Sequence, residues 1–140
     1  MEIINIKSRL FDYSVEFVDH FADTMKGITD PVALIVDGNV LRLYKEGFCG
    51  INKDRIFVMN AIESKKNMNT AIEILEFFQR ISLKKNWKVL CFGGGITQDV
   101  TTMAANLYLR NVDWYFFPTT LLAMSDSCIG GKSSINFNHV

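Results

Sequence analysis

The chain has 140 residues, with 15 basic and 15 acidic side chains and no formal net charge. That balance argues against a nucleic-acid binder, which needs a clustered excess of Lys and Arg to neutralise phosphates. An apolar content of 49% with 21% charged residues excludes a disordered chain. The length suits one domain able to bury a core, and is small for a complete two-domain enzyme. The longest stretch poor in charge, residues 111–132, is broken by Asp113 and Asp126 and contains Pro118, so no membrane span is expected. The first residues lack the basic-then-apolar pattern of a secretory signal. Three cysteines, an odd number without CxxC spacing, suit a reducing cytoplasm and give no metal site.

No internal repeat, low-complexity tract or flexible linker divides the chain. Residues 3–7 and 13–18 alternate apolar and polar in places and predict two short strands, a hairpin. Residues 20–25 suit a short helix stopped at Gly27, with His20 on its surface. Residues 32–36 form a continuous apolar run, the pattern of a strand buried on both faces, ending in a turn signal at Asp37-Gly38-Asn39. Residues 55–60 repeat the pattern more weakly. Thr70 and Glu73 have capping-box spacing, and Ala71, Ile74, Leu75 and Phe78 share one helical face. Residues 88–92 are a second buried-strand run, followed at once by Gly93-Gly94-Gly95. Ile96, Val100, Met103, Ala104 and Leu107 then recur at helical spacing. Residues 114–117 make a further strand, ended by Pro118-Thr119-Thr120. Strands alternating with helices predict an α/β fold, a mainly parallel, Rossmann-like sheet flanked by helices with a short N-terminal hairpin. Ligands of such sheets sit beyond the carboxyl ends of the strands.

Several clusters there could carry chemistry. Glycines between a strand and a helix let the backbone approach a ligand closely, and the helix N-terminus offers free N–H groups to a phosphate. The GxGxxG fingerprint is not met, because Gln98 stands where its last glycine would fall. The triple glycine therefore reads either as a tight turn or as a phosphate or dinucleotide site. The run from Asp126 to Ser133 ends in Gly130-Gly131-Lys132-Ser133, like the tail of a P-loop, but Asp126 occupies the place of the first P-loop glycine. What remains is a lysine and hydroxyl loop suited to a phosphorylated or polyhydroxylated ligand, with a solvated Lys132 as the bland reading. Thr119 and Thr120 either cap a helical segment or touch a ligand. Asp37 and Asn39 could simply stabilise a turn, Asp99 and Arg110 could complement a helix dipole, and Glu63 with Lys66 could be a surface pair.

Taken together, GGGITQDVTTMAANLYLRN followed by FPTTLLAMSDSCIGGKSSIN resembles the 3-dehydroquinate synthase family of sugar phosphate cyclases. Asp37-Gly38-Asn39 and Glu63-Ser64-Lys65-Lys66 match two further family elements. The resemblance runs from about residue 32 to residue 136. It implies that residues 1–140 are an NAD-binding domain, with a helical domain carrying a divalent metal, zinc or cobalt, outside this chain. Alone, such a half should lack metal and catalysis.

The resemblance assigns Asp37, Asn39, Glu63, Lys66, Gly94, Gly95, Asp99, Thr119, Thr120 and Leu122 to the nicotinamide cofactor. It assigns Asp126 and Lys132 to the substrate's hydroxyls and phosphate. Arg110 would reach the phosphate from the neighbouring subunit of a homodimer. The implied reaction converts 3-deoxy-D-arabino-heptulosonate 7-phosphate into 3-dehydroquinate and phosphate in the cytoplasm, on the shikimate route to aromatic amino acids. It proceeds by oxidation with NAD, phosphate elimination, reduction and aldol cyclisation, with orientation and electrostatics as the protein's main contribution. Ser125, Cys128 and Thr102-Met103 depart from the family's usual residues beside the substrate loop. Two alternatives therefore stay open: a cyclase acting on another ketose phosphate, and a nucleotide-binding module without catalysis.

Overall fold

The apolar runs that lack alternation form the centre of the fold. In the computed structural model, which describes residues 2–9, 12–29, 31–129 and 132–137, strands β3 (Val32–Asp37) and β5 (Lys88–Gly93) pair in parallel, Leu34 beside Leu90 and Val36 beside Phe92. Strand β4 (Ile56–Met59) joins the free edge of β3 and β6 (Trp114–Pro118) that of β5, giving the order β4-β3-β5-β6. A separate antiparallel hairpin, β1 (Glu2–Ile6) and β2 (Tyr13–Phe17), sets Ile4 opposite Val15. The hairpin, the parallel sheet and the flanking helices match the sequence expectation.

Both faces of the sheet are covered, and so its strands need no polar side. Ala33, Ile35 and Val89 pack with Ile74, Phe77 and Phe78 of α3 (Met68–Arg80) and with Val100 and Ala104 of α4 (Gly95–Leu107). On the other face Leu34, Val36, Leu90 and Phe92 meet Val40 of α2 (Gly38–Leu43), Phe48, and Phe21 of α1 (Phe21–Gly27). Phe92 stacks on Phe117 with ring centroids 4.3 Å apart, and meets Phe21 and Phe48 at 5.3 and 5.1 Å. Each such buried side chain stabilises the fold by roughly 1.5–3 kcal/mol.

Local capping departs from the sequence reading at several points. The turn expected after β3 is the start of α2: the Asp37 carboxylate accepts from the N–H groups of Asn39 at 2.7 Å and Val40 at 3.4 Å and so caps the helix. Thr70 and Glu73 form no capping box. Asn67 is the cap of α3 and accepts from Thr70 N–H at 3.0 Å, while Glu73 faces solvent and pairs with Lys65 at 3.5 Å. Phe77, absent from the expected face, is buried, and Leu75 is only partly so. Leu107 ends α4 exposed rather than in the core. His20 occupies the N-cap of α1 without a side-chain hydrogen bond.

Cys91 is fully buried on β5 and its thiol donates to Thr101 Oγ1 at 3.4 Å. Desolvation by burial pushes its pKa from 9.0 up to about 12, against the smaller lowering effect of the Thr101 bond. Between those values the unfolded chain releases a proton that the folded chain keeps. Stability is therefore lost as pH rises through this window, by at most about 1.4 kcal/mol per pH unit. Cys91→Ala should lower stability at neutral pH but flatten its alkaline fall, as read from urea midpoints between about pH 8 and about pH 11.

Candidate functional site

The sheet order reverses between β3 and β5, because the chain leaves β3 for β4 on one side and returns to β5 on the other. Crevices open beyond the carboxyl ends of strands at such a point. Val36 lies beside Phe92, and Gly93 beside Pro118, so Asp37, the triple glycine and Thr119 leave the sheet along one edge. Thr119 N–H is tied to the Gly93 carbonyl at 2.8 Å, which fixes two of these turns against each other.

The glycines are required by close approach. A Cβ on Gly93 would stand 2.4 Å from Thr97 Oγ1, and one on Gly94 would stand 3.0 Å from Thr120 Cγ2. Gly95 differs: the nearest atom to a Cβ there is Ser127 Oγ at 4.0 Å, so its surroundings are open. Gly94 is the N-cap of α4 and brings no side-chain acceptor to the first N–H groups of the helix. Beside this turn Thr97 Oγ1, Gln98 Oε1 and Ser127 Oγ are buried without a hydrogen-bond partner. Open space at a helix N-terminus, flanked by unpaired polar atoms, fits an anionic group such as a pyrophosphate.

Asp99 lies beyond the first turn of α4 rather than within it, so the dipole reading does not account for it. Its carboxylate pairs with Lys66 Nζ at 2.9 Å, with the two side chains 12% and 19% exposed. That shielding strengthens the attraction between them at the cost of desolvating both, and leaves either charge costly to strand. Lys66 follows the turn Glu63–Lys65 and does not pair with Glu63. Glu63 Oε1 instead accepts from Asn136 Nδ2 at 2.7 Å, and the Lys66 carbonyl accepts from Asn136 N–H at 2.7 Å. Asn136 thus stitches the last described segment to the Glu63 turn. Asp99, Lys132, Ser133 and Ser134 line a cavity of about 640 Å³.

Thr120 is a cap: its Oγ1 accepts from Ala123 N–H at 3.2 Å. The segment it caps widens into a π-helical turn, Ala123–Ser127, which carries an exposed Asp126. Leu122 is 72% exposed on this segment. Gly130 and Gly131 lie outside the described residues. Cys128 donates to the Met124 carbonyl at 3.1 Å, and burial, with the Asp126 charge as a smaller cause, raises its thiol pKa.

Arg110 is not brought to this edge. It follows the far end of α4, roughly 20 Å from the glycines by the helical rise. Leu109, Arg110 and Asn111 have φ of 46°, 60° and 76°, and the Lys85 ammonium donates to all three carbonyls. A second cavity, about 590 Å³, opens at the opposite edge of the sheet among Arg55, Arg80, Lys84 and Trp87. Its guanidinium groups already rest on rings, Arg55 on Trp87 at 4.5 Å and Arg80 on Phe77 at 5.5 Å. Among the described residues no group of three or more His, Cys, Asp and Glu side chains could hold a metal ion, and no helix is long and apolar enough to cross a membrane.

Sequence reasoning missed Asn136 and the Gln98 contact with the Asp126 loop. Neither residue type stands out without the pairing partner.

The family model described as 3-dehydroquinate synthase N-terminal matches residues 56–140. A 3-dehydroquinate synthase of Prochlorococcus marinus (strain AS9601) is 38% identical over 117 residues, covering 79% of this chain and 32% of the relative. The chain thus spans about a third of the length of the curated relatives it matches. Among solved structures, 2-deoxy-scyllo-inosose synthase, complexed with carbaglucose-6-phosphate, NAD+ and Co2+, superposes with a TM-score of 0.83 at 22% identity, over 98% of this chain and 41% of that one, a likeness of fold. The 2-epi-5-epi-valiolone synthase ValA of Streptomyces hygroscopicus subsp. jinggangensis 5008, with NAD+ and Zn2+ bound, is 33% identical with a TM-score of 0.69 over 77% of this chain and 32% of its own. With a strand-order reversal beside the triple glycine, a glycine turn into α4 and a family match over more than half its length, the chain belongs to the 3-dehydroquinate synthase N-terminal family.

Proposed function

We propose that the chain is the NAD-binding part of a 3-dehydroquinate synthase, which converts 3-deoxy-D-arabino-heptulosonate 7-phosphate to 3-dehydroquinate and phosphate. The observation that carries this reading is the cavity between Asp99 and the residues Lys132 to Ser134. It puts a lysine and two hydroxyls next to the helix whose N-terminus suits a pyrophosphate, so one crevice can hold a dinucleotide and a sugar phosphate together.

In this reading Gly94 and Gly95 let the pyrophosphate come against the first turn of α4, whose N–H groups donate to it. Asp37, Asn39, Glu63, Lys66, Asp99, Thr119, Thr120 and Leu122 surround the rest of the cofactor. The Lys66–Asp99 pair fixes one wall, and Asp37 keeps the start of α2 beside the glycines. NAD, when bound, supplies a reversible oxidation at a secondary alcohol carbon. Asp126 accepts hydrogen bonds from substrate hydroxyls and so orients the carbon to be oxidised. Lys132 neutralises the phosphate as it leaves, the step in which negative charge gathers on that group. Arg110, far from its own crevice, serves the phosphate of a second copy in a homodimer. The described residues supply no metal site, so a divalent ion of the whole enzyme would be held elsewhere.

A sugar phosphate cyclase acting on a different ketose phosphate is the second reading, favoured by the 33% identity to ValA. Turnover by the full-length protein decides between them. Release of phosphate together with 3-dehydroquinate from the heptulosonate phosphate is the expected result, and no turnover of that substrate alongside turnover of another ketose phosphate would overturn the first reading.

Two substitutions test the residue roles in the full-length protein. A Cβ at Gly95 meets nothing nearer than Ser127 Oγ at 4.0 Å, and the branched side chain of Gly95→Val fills the open space at the helix N-terminus. It should leave the melting temperature nearly unchanged and weaken NAD binding by about a hundredfold or more, measured by fluorescence titration. Lys132→Ala should leave NAD affinity within about twofold and lower turnover by roughly a hundredfold or more, the usual effect of removing one transition-state charge contact.

A further inference from the structure

Gln98 is 5% exposed at the start of α4, and its backbone is seated directly on the glycine turn, with its N–H donating to the Gly94 carbonyl at 3.1 Å. Its backbone carbonyl accepts from Thr102 Oγ1 at 2.8 Å. The side-chain Nε2 crosses to another part of the chain and donates to the Ser127 carbonyl at 2.8 Å, 29 residues away. Ser127 closes the π-helical turn and is the neighbour of Asp126. The last carbonyls of such a turn have no partner within it, so a donor from outside fixes where the turn ends.

Among the described residues Thr120 caps the start of this turn, the N–H groups of Met124, Cys128 and Ile129 return to the carbonyls of Thr120, Ala123 and Asp126, Ala123 is buried, and the Tyr13 hydroxyl donates to the Ile129 carbonyl just past its end. Leu121, Leu122 and Met124 have more than half of their surface exposed, so Gln98 supplies the side-chain bond that ties the Asp126 end of the turn to α4. A buried amide serving only the core would have both its ends satisfied. Here Oε1 of Gln98 is buried without a partner, as are Ser127 Oγ and Thr97 Oγ1, the nearest atoms to a Cβ at Gly95 and at Gly93. The bond therefore joins two halves of one crevice: the helix that receives the cofactor and the loop that carries Asp126.

We propose that Gln98 is a positioning residue, which sets the Asp126 loop at a fixed distance from the cofactor turn through its bond to the Ser127 carbonyl. This inference rests on the reading of Asp126 as a substrate contact only for its kinetic consequence. The tether itself has a readout that needs no turnover, because Cys128 lies in the same loop and its thiol is held to Met124.

The test uses the full-length protein with two substitutions. Gln98→Met keeps the volume and removes the amide, and Gln98→Glu keeps the shape but sets an acceptor against the Ser127 carbonyl. In both, alkylation of Cys128 by iodoacetamide, followed by peptide mass spectrometry, should quicken by about tenfold, the order expected for one lost buried hydrogen bond. Cys91 should stay unreactive in both, which certifies that the core is folded. Unchanged alkylation of Cys128 with a folded core overturns the proposal whether or not the protein turns over the heptulosonate phosphate. So does a rise at Cys128 and Cys91 together in both variants, since that reports general unfolding. Where the wild-type protein does turn the substrate over, KM should rise by about tenfold while the Kd for NAD stays within about twofold. A parallel rise in both would make Gln98 a structural support of the whole edge and would also overturn the proposal. Absence of turnover by the wild-type protein would count against the synthase reading alone.

Discussion

The parallel pairing of β3 with β5 is the constraint on which the remaining structure depends. Both strands are buried over most of their length, so neither can slip by one residue without turning its core side chains onto the wrong face. That register places Asp37 and Gly93 side by side at the end of the sheet. It also makes the chain turn outward in opposite directions from the two strands, the arrangement beyond which ligands of such sheets bind. The packing of Phe77, Phe78 and Val100 on one face, and of Phe48 and Phe92 on the other, is what holds the pair in this register.

Built on that frame, the candidate site is assembled from short turns that are each fastened by a few polar contacts. Asp37 is spent on capping α2, Thr120 on capping the π-helical segment, and Lys66 on Asp99. These side chains therefore shape the crevice before any ligand arrives, a form of preorganisation that lowers the cost of binding. Asp126 and Lys132 are exposed by contrast and free to meet a ligand's hydroxyls or phosphate. The contrast between fixed walls and exposed side chains suits a site that recognises its ligand by orientation and charge.

Some of the fold was legible residue by residue. Buried strands announce themselves through short apolar runs, and the glycine turn through three consecutive residues without side chains. Helix starts were less legible. Thr70 and Glu73 have the spacing of a capping box, yet Asn67 wins because its carboxamide reaches the Thr70 N–H from outside the helix while Thr70 itself is drawn into the core. Asp37 reads as a turn residue because the same carboxylate geometry caps a helix and closes a turn. Glu63 and Lys66 look like partners at helical spacing, but the intervening turn aims them at different neighbours.

What the sequence by itself determined was the alternation of strands and helices, the mainly parallel sheet and the family to which these motifs belong. These are properties of windows of a few residues, in which periodicity and backbone preference are written locally. Only the tertiary structure decided that Lys66 meets Asp99, that Gln98 holds the Ser127 carbonyl, that Asn136 bonds Glu63 across 73 residues, and that Arg110 stands away from its own crevice. Such pairs depend on where distant segments cross. That is fixed by the register of the sheet and the burial of both its faces, and it leaves no trace in the spacing of the residues themselves.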